Sequence, residues 1–306
     1  MERRHWLGAA WAMAALLIWS GWFVVTRLSI TRELGIHDVA VLRLGVGALV
    51  LLPAFLRSAH TIPGTAWREG VVLSACWGAP FVLLISWGVQ LSSAAHAAAV
   101  TPSMMPVFAG VIGWAVLRTR PGRLQWTGFA LVSAGVLALS AALQTPGRPE
   151  QAWMANAALL AASVLWAVYT LRVRRTGLTP LQAAALVCLY STLAYLPYYL
   201  LSGVSRLSHA PWQEIGLQAF YQGVMVSGVS IIAYNRAIAL LGPAAASVVS
   251  LVPVVATALA IPVLGEAPTV FTAMAVGLIA AGVLVVVQAP RPAPAPGPVR
   301  PRPATP

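Results

Sequence analysis

Charge is what this sequence has least of, and one basic side chain is missing altogether. Only 8% of its 306 residues are charged, lysine does not occur, and seven residues are acidic. So thin a charged complement cannot solvate a globular surface. With 59% hydrophobic residues, the remaining apolar area requires lipid as its solvent. Cysteine is nearly absent too: Cys76 and Cys188 both lie in apolar runs, and no CxxC or Cys/His cluster accompanies them. A disulfide framework and a metal centre therefore drop out, and both cysteines read as small buried hydrophobes. Of five histidines only His96 falls clearly inside an apolar run, and no carboxylate goes with it. No catalytic or metal-binding set is expected, and no cofactor.

What is present in quantity is long apolar runs, and a helix needs about 20 such residues to cross the hydrocarbon layer. Ten candidates occur, at roughly 6–26, 38–57, 69–90, 93–117, 123–144, 152–171, 180–201, 212–239, 243–264 and 268–288. The link near Gln90–Ser93 carries no charge, but a 49-residue continuous helix would be far too long for a bilayer. Arg3 and Arg4 before the first run imitate a signal peptide. The run continues past a typical apolar region, with Trp19 and Trp22 where small residues should mark cleavage, so it reads as an uncleaved first span.

The net charge of +12 would point to nucleic acid in a soluble protein; here it does not. Alternating the loops puts thirteen arginines on the face that holds the N-terminus, among them Arg57, Arg68, Arg118, Arg172 and Arg175. The other face receives only Arg27, Arg32, Arg148 and Arg206. That asymmetry predicts cytoplasmic termini in a multi-pass protein of the cell inner membrane. The stretch 289–306 has no helix or core pattern and is expected to be a disordered Pro/Ala-rich cytoplasmic tail.

The chain also repeats itself. ALLIWSGWFVVTR at 15–27 aligns with ASVLWAVYTLRVR at 162–174, so that Trp19 falls on Trp166, Trp22 on Tyr169 and Arg27 on Arg174, an offset of 147. The same offset puts Pro106 on Pro253, Pro121 on Pro268 and AGVL at 134–137 on AGVL at 281–284. Spans two and seven match poorly. Two five-span units follow, 1–147 and 148–288. Because five is odd, the second must enter the membrane from the opposite face. The expected fold is all-α, ten transmembrane helices as two inverted five-helix repeats, a construction principle of alternating-access carriers.

Several motifs carry a family resemblance: IWSGWFVVTR and LWAVYTLRVR opening each half, VLRLGVGALVLLP with its Arg in span two, the proline segments AAAVTPSMMPVFAGVI and ASVVSLVPVVATALA, and the LGEAPT turn after span nine. In this order and duplicated, they resemble the ten-span members of the drug/metabolite transporter superfamily, with two EamA-type domains. The resemblance implies a central cavity among spans one, three, four, six, eight and nine, with spans five and ten at the periphery near a dimer contact. It also implies export or exchange of amino acids, related metabolites or drugs. The first half departs from the pattern, since LRTRPG carries Thr119 where LGEAPT carries Glu266.

Candidate residues follow from cost: polar and broken segments inside lipid persist where they serve a cavity or pair with one another. Pro102 and Pro106 in span four and Pro253 in span nine are expected breaks and hinges, each removing a backbone donor. Trp19, Trp22, Trp77, Trp166, Tyr169, Tyr221 and Tyr234 either line the cavity or pack. Thr101 and Ser103 flank the first proline; Gln222 and Asn235 offer neutral hydrogen bonds to a solute or to another helix. His96 can bind a solute, titrate, or pack between helices. Arg43, about 7.5 Å along the helix from Asp38, and Glu266 are assigned structural roles. Arg236 faces a carboxylate or the inner surface.

All seven acidic residues lie at span ends or in loops. No mid-membrane carboxylate is therefore placed to exchange a proton for a cation. Neutral, zwitterionic or anionic small solutes are expected, with coupling through His96, by exchange, or absent. A membrane scaffold without transport is the alternative, and a membrane-embedded enzyme a further one. Gly128, Gly135, Gly277 and Gly282 fit helix packing in a monomer, or a weak homodimer through spans five and ten.

Overall fold

The computed structural model describes residues 2–142 and 149–289; Arg148 and the tail expected beyond Ala289 lie outside them. Nine helices among the described residues are long and apolar enough to cross a membrane. They are α1 (Arg4–Ile30), α2 (Ile36–Thr61), α3 (Gly64–Leu91), α4 (Ala94–Leu117), α5 (Arg123–Ala142), α6 (Glu150–Val173), α7 (Pro180–Leu201), α8 (Trp212–Leu241) and, last in the chain, α10 (Val270–Gln288). Between the last two runs α9, a 3₁₀ segment Gly242–Leu251 leading into an α-helix Val252–Leu264. Each of the ten expected runs is helical among the described residues, the ninth as this shorter composite.

The contacts have the pattern that an axis relating two halves demands. α1 packs on α8 and α9, and α6, its equivalent, packs on α3 and α4; α2 packs on α8 and α7 on α3. The self-related pairs α2–α7, α4–α9 and α5–α10 also form. Backbone detail repeats where the side chains do not. Arg118 ends α4 and Gly265 ends α9, both left-handed, at φ 54° and φ 70°. They are equivalent positions, and only the second half uses the residue that adopts this conformation without steric cost.

Close approach is bought with missing Cβ atoms. A Cβ on Gly282 would stand 2.8 Å from the Val132 amide nitrogen, and one on Gly128 would stand 3.0 Å from the Gly282 carbonyl oxygen. The α5–α10 seam therefore needs both glycines. These two and Gly135 face their partner inside the chain, whereas a Cβ on Gly277 would meet nothing within 4 Å.

The interruptions are not where the prolines predict them. Pro102 and Pro106 sit inside one uninterrupted helix: a proline ring already holds helical φ and deletes a single donor, which a 24-residue helix tolerates. The break in the first half is in α3, whose two helical pieces meet at Gly78 (φ −93°, ψ −135°). A Cβ there would overlap Ser191 Oγ and the Ser74 carbonyl oxygen. In the second half Pro253 does lie at a discontinuity, in the first turn of α9 after the 3₁₀ segment. Two π-helical stretches add to these: Leu42–Val46 in α2 and Ala219–Val229 in α8. They pack on each other, with Gly223 against Val46 and Gly47 against Ser227 and Cys188.

Candidate functional site

The π turn of α2 carries Arg43 into the bundle, where it is 8% exposed. Its guanidinium carbon lies 5.4 Å from the ring centre of Trp22 on α1, and 5.8 and 5.9 Å from Trp77 and Phe81, which flank the α3 break. No carboxylate and no hydrogen-bond acceptor pairs with this guanidinium among the described residues. Asp38, five residues earlier, is fully buried and already occupied. It accepts hydrogen bonds from Tyr199 Oη (2.5 Å) and from the amides of Gly35 (2.7 Å) and Arg206 (3.1 Å). It therefore ties the start of α2 to α7 and the following loop. Cation–π attraction is worth about 2 kcal/mol when desolvated. Burying an unpaired ion costs several kcal/mol even after relaxation. The rings alone do not close that gap.

A hydrogen-bonded chain adjoins the rings. Trp22 Nε1 donates to Gln222 Oε1 (2.6 Å), and Gln222 Nε2 donates to Thr26 Oγ1 (2.9 Å) and Gln218 Oε1 (3.0 Å). Gln218 Nε2 in turn donates to the Val25 carbonyl (3.1 Å). Both glutamines are fully buried, and these bonds lock α8 to α1 and hold the Trp22 indole in one orientation. The second half supplies two more rings. Tyr169 stacks on Trp77 (4.8 Å, 17° between planes), and Trp166 meets Phe81 edge-on at 5.9 Å. Trp77 Nε1 is a buried donor without a partner among the described residues.

The other sequence candidates divide into neighbours and outliers. Trp19 lies 4.9 Å from Tyr234, and Tyr221 Oη donates to the Ile18 carbonyl (3.0 Å); both contacts join α1 to α8. Thr101 is buried against the Leu159 carbonyl, and Ser103 is buried beside it on α4. Asn235 is half-buried near Tyr234 in sequence, with no hydrogen bond given by its side chain among the described residues. His96 stands apart from the rings. Its Nε2 meets Asn156 Oδ1 at 3.0 Å, Ser140 Oγ donates to the same oxygen, and Asn156 Nδ2 donates to the Ala152 carbonyl. That network joins α4, α5 and α6.

At one end of the bundle the two halves are joined by a polar latch. Arg27 Nε lies 3.2 Å from Glu266 Oε1, and Arg27 Nη1 donates to the carbonyls of Val89 (2.9 Å) and Gln90 (2.7 Å). The other Glu266 oxygen accepts the first free amide of α4, at Ala94 (3.0 Å). α1, the α3–α4 link and the α9–α10 turn thus close on one carboxylate. Separately, a cavity of about 660 Å³ opens between α3 and α7 beside the Gly78 break, lined by Ser74, Ala79, Pro80, Tyr190, Ser191 and Tyr195 among others. None of the sequence candidates lines it. Ser191 Oγ there is buried without a partner among the described residues.

Phe81, Asn156, Ser191 and the Gly78 break were not among the sequence candidates. The Gly-Ala-Pro signal at 78–80 was legible as punctuation inside a span. The other three look like ordinary span residues until a partner helix is in place.

Helices throughout the described residues, membrane-length spans, an inverted duplication and polar groups gathered where the halves meet define a multi-pass membrane protein. The family model described as the EamA-like transporter family matches residues 6–141 and 153–288, at the same offset of 147 as the sequence repeat, and the chain belongs to that family. This is the domain of the drug/metabolite transporter superfamily, the resemblance read from the motifs. One solved structure, a crystal structure of a protein without further description, is similar in fold. Its TM-score is 0.61 at 20% identity, over 91% of this chain and 96% of that one. No curated protein matches the sequence.

Proposed function

We propose that this chain moves small metabolites across the cell inner membrane by alternating access, as an exporter or exchanger, with both termini in the cytoplasm. Amino acids, related neutral or zwitterionic solutes and some drugs are the class of substrate. The observation that carries this reading is the ring group shared by the two halves, Trp22, Trp77 and Phe81 with Tyr169 and Trp166, in which the Arg43 and Trp77 donors have no acceptor among the described residues. A scaffold subunit gains nothing from burying donors in that state, whereas a solute site uses them.

The Arg27–Glu266 latch then serves as the closure of the non-cytoplasmic end. The Gly78 break and the start of α9 at Pro253 are the places where each half bends, with Pro102 and Pro106 shaping α4 between them. The outer faces of α5 and α10 remain available to a second copy. Neither Asp38 nor Glu266 has a free carboxylate, in keeping with solutes other than dications.

Counterflow in proteoliposomes tests the reading. Vesicles loaded with an unlabelled amino-acid mixture should accumulate external labelled solute transiently above equilibrium. Simple equilibration, or no uptake of any amino acid, nucleobase or organic acid tried, excludes a carrier.

A further inference from the structure

We propose that Arg43 recognises a carboxylate on the solute. The solute is a ring-bearing or otherwise flat organic monocarboxylate, its anionic end at the Arg43 guanidinium and the Trp77 indole N–H, its apolar body against Trp22, Trp77 and Phe81. This deepens the transport reading and rests on it for the fate of the bound molecule.

Three observations converge. First, guanidinium and indole N–H are donors only, the guanidinium carbon lies 5.8 Å from the Trp77 ring centre, and among the described residues neither group has a hydrogen-bond acceptor, the Trp77 Nε1 being buried in that state. Two buried donors side by side call for an anionic acceptor, and a planar carboxylate matches the guanidinium fork.

Second, Asp38 on the same helix and the two ion-paired acids of the described residues are committed elsewhere. Asp38 is held by Tyr199 and backbone amides, Glu266 by Arg27 and the α4 amide, and Glu69 by Arg172 at 3.1 Å. None of these carboxylates pairs with Arg43. The ring group also contains no carboxylate to take an ammonium, so an α-amino group adds no ion pair.

Third, the feature belongs to one half. At the repeat offset, Tyr190 stands in place of Arg43 and spends its hydroxyl on the Trp67 carbonyl. The solute therefore meets one cation, and one carboxylate satisfies it.

Calorimetric titration of the purified full-length chain in nanodiscs provides the test, with 3-phenylpropanoate, its neutral amide and 2-phenylethylamine as probes. The carboxylate should bind about tenfold to a hundredfold more tightly than the amide, as expected for a buried charged hydrogen bond, and the amine least. Arg43→Gln should abolish the carboxylate preference while leaving the amide bound. Trp77→Phe, which keeps a ring and deletes the N–H, should weaken the carboxylate about threefold to tenfold and spare the amide.

Equal affinity of carboxylate and amide, no carboxylate binding to the wild type, or a preference that survives Arg43→Gln overturns the proposal. If Arg43→Gln does not fold, Arg43→Lys and Trp77→Phe decide it, since an unchanged preference in both also overturns it. A preserved preference for the carboxylate without counterflow supports the site and removes the carrier function. Counterflow of the carboxylate at the same rate in wild type and Arg43→Gln removes the site and leaves the carrier.

Discussion

Arg27 and Arg174 stand at the same position of the two repeats, at opposite ends of the bundle, and only one of them is occupied. Arg27 is part-buried in an ion pair with Glu266 and two carbonyl bonds. Arg174 is exposed and makes no ion pair or hydrogen bond among the described residues. The loop that would supply its partner carries Thr119 where the second half has Glu266. A duplicated scaffold thus has inequivalent ends. The same holds further inside: Arg43 has a tyrosine for its equivalent, and the Gly78 break of α3 answers to a π-helical stretch of α8, not to a second break. Duplication supplies two arrangements of one framework. The side chains that differ decide which arrangement is the stable one.

The comparison can be broken most severely at the interruption. Gly78→Ala forces a methyl into the Ser74 carbonyl and Ser191 hydroxyl, and should cost about 2–3 kcal/mol in the overpacking range. It would be read as a lower thermal unfolding midpoint in detergent; an unchanged midpoint would mean that α3 can close its break. Gln222→Leu comes next. It strands Trp22 Nε1 and Thr26 Oγ1 and should lose about 2 kcal/mol, together with the red-edge fluorescence of an immobilised indole, whereas an unaltered spectrum would count against a locked Trp22.

The ends themselves are tested by exchange of one residue. In a background of Cys76→Ala and Cys188→Ala, a reporter Ala94→Cys is buried beneath the latch. Glu266→Gln should speed its reaction with an impermeant maleimide about fivefold, the effect of about 1 kcal/mol for a part-exposed pair. Thr119→Glu, which offers Arg174 the missing partner, should act in the same direction by closing the other end. Constant rates in both variants would show that the ends are uncoupled. Smallest of all should be Pro106→Ala, within about 1 kcal/mol in stability and with transport turnover nearly intact, because α4 has no break for it to remove. Pro253→Ala, at a real discontinuity, should slow turnover more. The reverse order would restore α4 as the hinge.

Much of this was legible before any helix was placed. Ten apolar runs, the offset of 147 and the odd number of spans per unit stand in the residue order, because lipid leaves a spanning chain almost no choice but helix. The family motifs likewise lie along the chain. The ring cluster was half legible. Trp19, Trp22, Trp77, Trp166 and Tyr169 were candidates because they are aromatic and deep in spans, yet nothing in their spacing says that Trp77 stacks on Tyr169 and that Trp22 reaches Gln222, 200 residues away. For His96 the sequence left solute binding, titration and helix packing open, and only the folded chain shows its contact with Asn156.

Hydrophobicity and periodicity are local and additive, so the sequence alone determined the spans, the duplication, the inversion that follows from it and the family. Partnership is neither local nor additive. A buried arginine reads the same in one dimension whether a carboxylate faces it or three rings do, and a span glycine whether its neighbour is lipid or a serine hydroxyl. Only tertiary structure decided that Glu266 answers Arg27, that Asp38 is held by α7, and that Arg43 has rings and no counter-ion among the described residues. Each of those outcomes depends on which helices an axis between the halves brings within a few ångströms.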